Sequence, residues 1–150
     1  MIVNWIENGV VIDHIPPGRA SVCLSLLRKK PLDKTTIVAT RLQSRCMGSK
    51  DMIKIWDYDL DDEDLEVISI IAPEATFNRI RDKEVVEKKK AKPPSRVVGR
   101  LECINPSCAT REEHYLESKF SVDSLSPLRL KCDYCERLLV EESIRKQLGV

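Results

Sequence analysis

Four cysteines in the last third of the chain have the spacing of a metal site. They form two close pairs, C-x4-C and C-x2-C, at Cys103, Cys108, Cys132 and Cys135. A chain that folds back between two such pairs can place four thiolates at the corners of a tetrahedron, the arrangement that zinc favours. Four cysteines also fill the coordination shell, so no position remains for a catalytic water. The sequence therefore predicts one structural Zn2+ ion.

Disulfides and a redox dithiol are the alternatives for the same cysteines. The first ten residues carry Asn4, Glu7 and Asn8 and no sustained apolar run, so no secretory signal is recognised. We therefore expect a cytoplasmic location, where thiols stay reduced and disulfides rarely persist. A thioredoxin-like dithiol uses a single C-x-x-C and leaves the other pair unexplained. The spacing favours the metal over both alternatives.

Length and composition describe an ordinary globular chain. The 150 residues, 42% apolar and 33% charged, suffice for one domain or two small ones. No stretch approaches the roughly 20 apolar residues of a membrane span. The formal net charge of +1 gives no overall positive field of the kind that attracts nucleic acid. We expect neither a membrane nor a nucleic acid as a partner.

A basic, proline-containing run divides the chain. The segment 88–95 reads KKKAKPPS, in which repelling charges precede a stiff diproline, as is typical of a solvated linker. We place the boundary between residues 92 and 93. The second domain, 93–150, is too small to depend on a hydrophobic core alone, which is why the metal matters for its folding.

The first domain, 1–92, has the pattern of an α+β fold. Apolar spacing predicts one helix from Gly18 to Pro31, with Ala20, Cys23, Leu24 and Leu27 inward. It predicts a second helix capped by Asp61 and ending before Pro73, with Leu65, Ile68, Ile71 and Ala72 inward. Strands are predicted at 10–15, 35–42, 52–56, 76–80 and 84–86. The order β-α-β-β-α-β indicates a ferredoxin-like split βαβ sandwich, followed by a small β-rich zinc-binding domain.

No catalytic constellation is recognised in the first domain. A P-loop and a G-x-G-x-x-G motif are both missing from the sequence, and no nucleophile is paired with a base. Asp13 and His14 fall at a strand end, Lys54 lies within a strand, and a lysine cluster follows the last strand. Lys54 taken alone is better explained as a lysine whose ammonium group extends into solvent. Together these groups suit an anionic nucleotide, because carboxylates bind ribose hydroxyls and ammonium groups neutralise phosphates.

Three stretches of the first domain and the zinc motif carry a family resemblance. The stretches read VIDHIP at 11–16, MGSKDMIKI at 47–55 and APEATFNRI at 72–80, and the second cysteine pair reads CDYCE. These motifs closely resemble the regulatory chain of aspartate carbamoyltransferase, in the same order and over nearly the whole chain. Lys83 departs from the family pattern, which has an aromatic residue there.

The resemblance implies a non-catalytic subunit of an enzyme complex in pyrimidine biosynthesis. Such a subunit binds CTP and ATP competitively in its first domain, with UTP as a co-effector. Its zinc domain contacts the catalytic chain. Regulatory homodimers then link two catalytic trimers into a dodecamer.

The resemblance also implies which residues bind the nucleotide. Asp13 would hold the ribose, and Lys54 would reach ribose and base. His14, Lys88 and Lys90 would face the triphosphate. The apolar residues Ile6, Val11, Ile80 and Val85 would flank the base. The remaining implied contacts are Val3 and Asn78.

A zinc-ribbon adapter for nucleic acid or transcription is the alternative reading. It would use the same cysteine pairs, with the basic run 88–100 as its phosphate-binding patch. Against it, the charge from residue 101 onward is roughly balanced. Aromatic residues suited to base stacking are also few there.

Overall fold

The chain forms two compact units, Met1–Lys92 and Pro93–Val150. The computed structural model describes residues 6–150. Each unit has a sheet of its own, with five strands in the first and four in the second. None of the helices within residues 6–150 is long and apolar enough to cross a membrane.

The first unit is an antiparallel sheet with two helices. Its elements are β1 Gly9–Ile15, α1 Ala20–Leu26, β2 Thr36–Ser44, β3 Gly48–Trp56, α2 Asp62–Ile71, β4 Thr76–Arg81 and β5 Glu84–Lys90. The strands lie in the order β2-β3-β1-β4-β5. Strands β2, β3, β1 and β4 form the split βαβ arrangement, and β5 extends the sheet by forming a hairpin with β4. The predicted α+β class and the ferredoxin-like sandwich are confirmed.

Within residues 6–92, the helices cover one face of this sheet, and we call the other the open face. Ile12, Ile53 and Ile55 are fully buried, whereas their strand neighbours on the other face are half-buried. The buried face is the helix side, because Asp51 on that face accepts hydrogen bonds from the start of α1. Period-two alternation of this kind is what a sheet covered on one side requires. Within residues 6–92, the open face carries the less buried side chains of the central strands.

Helix α2 begins as predicted. The Asp61 side chain accepts a hydrogen bond of 2.8 Å from the Asp64 amide, which makes Asp61 the N-cap. Ile68, Ile71 and Ala72 are buried, as expected, but Leu65 is only half-buried. Asp64 takes the buried position in that turn, because its carboxylate accepts a hydrogen bond of 3.1 Å from the Arg28 amide.

Helix α1 is shorter than predicted. It ends at Leu26 rather than continuing to Pro31. Leu27 has extended backbone angles, and its amide bonds the carbonyl of Leu24 three residues back, so the last turn tightens and stops. Leu27 is nevertheless buried, and Leu24 is half-buried. The extended backbone, not a further helical turn, directs Leu27 into the core.

The second unit is a small β-rich module, as predicted. Its elements are β6 Arg96–Val98, α3 Ala109–Glu112, β7 Lys119–Leu125, β8 Leu128–Cys132, β9 Leu138–Val140 and α4 Glu141–Leu148, with the sheet order β6-β7-β8-β9. Phe120, Leu130, Leu139 and Ile144 are its fully buried large side chains. A core of this size leaves the module dependent on a further source of stability.

Gly9 at the start of β1 occupies a position that admits no side chain. Its φ is +151°, and an added Cβ would lie 2.2 Å from the Ile55 carbonyl oxygen. We expect Gly9→Ala to lower the free energy of unfolding of the first unit by about 2–3 kcal/mol, measured by urea unfolding. Gly48→Ala is the matched control, because Gly48 also has positive φ (+78°) but open space around it. It should cost about 1 kcal/mol. Equal losses for the two variants would contradict the steric argument.

Candidate metal centre and ligand-binding face

The four predicted metal ligands meet in the second unit. Their sulfur atoms all lie within 4.8 Å of one another. The Sγ–Sγ distances are 3.4 Å for Cys103 and Cys135 and 3.7 Å for Cys108 and Cys132. Tetrahedral zinc with Zn–S bonds of about 2.3 Å requires sulfur–sulfur separations of about 3.8 Å. The donor set therefore fits one structural zinc ion.

Two turns carry the cysteines. Cys103 lies in the loop after β6, and Cys108 precedes α3 as its N-cap residue. Cys132 ends β8, and Cys135 lies in the turn before β9. The Asn105 amide donates to the Cys103 sulfur at 3.5 Å, as expected of a knuckle whose amides stabilise thiolate charge.

Burial disfavours the thiolate forms of Cys103 and Cys132. It raises the pKa of Cys103 to about 12, and it also raises the pKa of Cys132. Burial acts in the same direction on Cys135. There it is outweighed by hydrogen bonds from the Arg137 backbone and the Asn105 side chain, which lower the pKa to about 6. Zinc binds thiolates, so it must displace the protons of the two thiols whose pKa is raised. Zinc affinity should therefore fall as the pH falls.

The other two cysteines lie outside this cluster. Cys23 is fully buried in α1, and burial raises the pKa of its thiol to about 12, so it is a core residue as its position on the apolar face indicates. Cys46 is exposed in the turn between β2 and β3.

In the first unit, strand register aligns four of the predicted nucleotide residues. Directly paired residues of antiparallel strands share a face with Cβ atoms about 5 Å apart. Lys54 pairs with Val11, Val11 with Asn78, and Asn78 with Lys88. These four residues thus form one continuous row across β3, β1, β4 and β5 on the open face.

The two neighbouring rows contain four more of the predicted nucleotide-binding residues, Ile80, Val85, Asp13 and Lys90. In the row toward the start of β1, Ile80 pairs with Gly9 and with Val85, and Trp56 completes the row on β3. In the row toward the end of β1, Thr76 pairs with Asp13 and with Lys90. The open face therefore has an apolar end and a charged end, with the row of Lys54 between them.

A β-bulge brings His14 to the charged end. Asp13 and His14 together stand opposite Met52, and His14 has a left-handed φ of 59°. In a regular strand the two side chains would point to opposite faces. The bulge instead brings the His14 Nδ1 atom to 3.1 Å from the hydroxyl of Thr76, the partner of Asp13. Asp13 and His14 thus reach the same end of the face.

The predicted contact Ile6 lies outside these rows. Ile6 is buried just before β1, in a segment whose Glu7 carbonyl accepts a hydrogen bond of 2.9 Å from the Lys83 amide. Lys83 itself is exposed in the turn between β4 and β5. Val3 lies outside the described residues.

Sequence reasoning missed Lys50 and Thr76. The Lys50 ammonium lies 2.9 Å and 3.1 Å from the two carboxylate oxygens of Asp13. The predicted strand began at residue 52, but β3 begins at Gly48 and so includes Lys50. Had the strand been extended, its alternation with Met52 and Lys54 would have placed Lys50 on the same face.

Comparisons with known proteins cover both units. A family model for "Aspartate carbamoyltransferase regulatory chain, allosteric domain" matches residues 1–92, and one for the metal binding domain of the same chain matches residues 95–145. The chain is similar to aspartate carbamoyltransferase regulatory chains of three organisms. It is 42% identical to that of Metallosphaera sedula over 99% of this chain and 94% of the relative. It is 43% identical to that of Porphyromonas gingivalis over 96% and 95%. For Methanopyrus kandleri the identity is 41% over 96% and 93%.

Removal of zinc should unfold the second unit and spare the first. Zinc binding contributes on the order of 10 kcal/mol to small modules, far more than the core of this unit supplies. We expect a chelator to abolish amide protection in β7 and β8 while β1, β3 and β4 remain protected, as measured by hydrogen exchange. Re-addition of one equivalent of zinc should restore protection. Persistent protection of β7 and β8 in the metal-free chain would contradict this account.

Proposed function

Because the chain belongs to the family of aspartate carbamoyltransferase regulatory chains, we propose that it binds CTP and ATP competitively on the open face of its first sheet. Its relatives are named as regulatory and not catalytic chains, so it is a non-catalytic subunit. UTP is proposed as a co-effector. The site acts in the cytoplasm, in control of pyrimidine biosynthesis.

The alignment of residues on the open face is the observation that carries this proposal. Lys54, Lys88 and Lys90 provide three positive charges in the rows, and a fourth, on Lys50, offsets the carboxylate of Asp13, so positive charge is in excess. That excess suits a triphosphate, which ammonium groups neutralise. The apolar end, with Ile80 and Val85, together with Val11 in the adjacent middle row, suits a base, which favours an apolar contact over its ring faces.

For the second unit we propose a docking role toward the catalytic chain. Ile104 and Tyr134 lie inside the two cysteine pairs and are 44% and 39% exposed. Zinc would hold both turns in place, so an apolar contact made there depends on the metal. A homodimer of this chain would then join two catalytic trimers, because the second unit of each protomer would contact a different trimer.

Regulation requires that the nucleotide distinguish two states of the assembly. A ligand shifts activity only as far as its affinities for the low- and high-activity states differ. We propose that CTP and ATP occupy the same face and differ in which state they favour. The competition between them then sets the activity of the catalytic chains.

Lys54 is the residue to test first, because it lies in the middle row beside Val11. A charge-assisted hydrogen bond contributes about 1.5–3 kcal/mol, and we therefore expect Lys54→Ala to weaken CTP and ATP binding about 10- to 100-fold. Titration calorimetry on the zinc-loaded chain measures both affinities. The zinc content should remain one ion per chain, because the metal lies in the other unit.

Lys29→Ala is the matched control for that experiment. Lys29 is an exposed lysine in the same unit, located after α1 and absent from the three rows. It should change neither affinity by more than about twofold, the level expected of an isolated surface charge. Unchanged nucleotide affinity in Lys54→Ala would remove the central residue of the proposed site.

The docking role predicts a separate loss of assembly. Cys108→Ser removes one zinc ligand and should abolish association with catalytic trimers, as seen by analytical ultracentrifugation. Cys46→Ser, at the exposed cysteine outside the cluster, should leave assembly unchanged. Intact assembly of a zinc-free Cys108→Ser chain would refute the docking claim. Salt-dependent binding of DNA by the zinc-loaded chain would instead favour the nucleic-acid adapter.

A further inference from the structure

We propose that Lys50 is a positioning residue for the nucleotide site, acting through Asp13. The inference rests on the proposed function and adds to it a residue that binds no ligand itself. Lys50 Nζ lies 2.9 Å from Oδ1 and 3.1 Å from Oδ2 of Asp13. The two side chains are only 16% and 19% exposed. A pair so placed is screened by solvent and salt much less than a surface ion pair.

The contacts of Asp13 fix its carboxylate plane. Oδ1 accepts hydrogen bonds from the His14 amide at 2.7 Å and from Lys50 at 2.9 Å. Oδ2 accepts from Lys50 alone among the contacts that the structure shows at hydrogen-bond distance. A carboxylate oxygen has two lone pairs, so Oδ2 keeps one acceptor position for a ligand. A ribose hydroxyl is the matching donor.

The His14 amide is aimed at Asp13 by the bulge. His14 has a left-handed φ, and its amide donates to Oδ1 of the preceding residue, Asp13, within the same bulge. With this hydrogen bond alone, the carboxylate could still pivot around Oδ1, and the position of Oδ2 would not be fixed. Lys50 supplies the second fixed point and thereby directs Oδ2 toward the open face.

Lys50 also removes an electrostatic obstacle. An unpaired, largely buried Asp13 would repel a triphosphate bound a few ångströms away. With Lys50 in place the pair is neutral, and the remaining lysines, Lys54, Lys88 and Lys90, present their charge to the ligand undiminished. The ion pair therefore improves binding in two ways, and both ways require Asp13.

This dependence on Asp13 distinguishes positioning from a direct contact with phosphate. A lysine that binds phosphate directly contributes whether or not Asp13 is charged. A lysine that acts through Asp13 loses its effect when Asp13 is already neutral. A double-mutant cycle with Lys50→Met and Asp13→Asn measures that difference.

The experiment measures CTP affinity of the zinc-loaded chain by calorimetry for both single variants and the double variant. We expect Lys50→Met to weaken binding about tenfold in the native background, the loss typical of a charged hydrogen-bond partner. In the Asp13→Asn background it should weaken binding less than about twofold. The same loss in both backgrounds, or no loss in either, would overturn the proposal.

CMP gives a second measurement that needs no change at Asp13. Positioning through the ribose predicts that Lys50→Met weakens CMP as well as CTP, with the larger loss for CTP because an unpaired Asp13 also repels the outer phosphates. Direct contact with the outer phosphates predicts a loss for CTP that CMP does not share, and that result would also overturn the proposal. Lys50→Arg, which keeps charge and donors, should restore affinity to within about threefold.

Two controls separate this idea from its premise. Lys29→Met removes a lysine from the same unit outside the rows and should leave CTP affinity unchanged. Thermal unfolding of each variant verifies that the first unit remains folded at the titration temperature. Absence of CTP binding in the unaltered chain refutes the nucleotide site itself, whereas native binding without coupling refutes only the role of Lys50.

Discussion

The buried carboxylate of Asp51 is the contact on which the geometry of the first unit depends. It is fully buried and accepts hydrogen bonds from the amides of Gly18 and Ala20, before and at the start of α1, and of Arg41, in the bulge of β2. A buried charge is tolerated only when it is satisfied in this way. Its strand partner, Ile15, closes the bulge that contains His14. One side chain thus joins a helix start to both bulges and shapes the strand end where Asp13 lies.

The two units obtain their stability from different sources. The first buries a continuous apolar layer between its sheet and two helices, so its open face can carry polar and charged residues without loss of the core. The second has a small core, and four thiols within 4.8 Å of one another indicate that a metal completes it. The division suits a regulatory chain, because the proposed ligand binding and the proposed attachment to a partner would then depend on separate sources of stability.

The fold class and most local patterns were predicted well, whereas the details of strand pairing were not. The cysteine spacing revealed the metal site because each pair lies within a few residues, and Asp61 was recognised as an N-cap because its partner is three residues away. The bulge at His14 and the early start of β3 at Gly48 were missed. Both are set by strand pairing, of Ile15 with Asp51 and of Ser44 with Gly48. Lys50 was missed for the same reason.

The central claim is that a single face of the first unit holds either nucleotide. Its most direct test is a calorimetric titration of ATP into the zinc-loaded chain already saturated with CTP. The account predicts that the apparent ATP affinity falls in proportion to the CTP concentration, as one shared site requires. An ATP affinity independent of CTP, with both nucleotides bound, would contradict it.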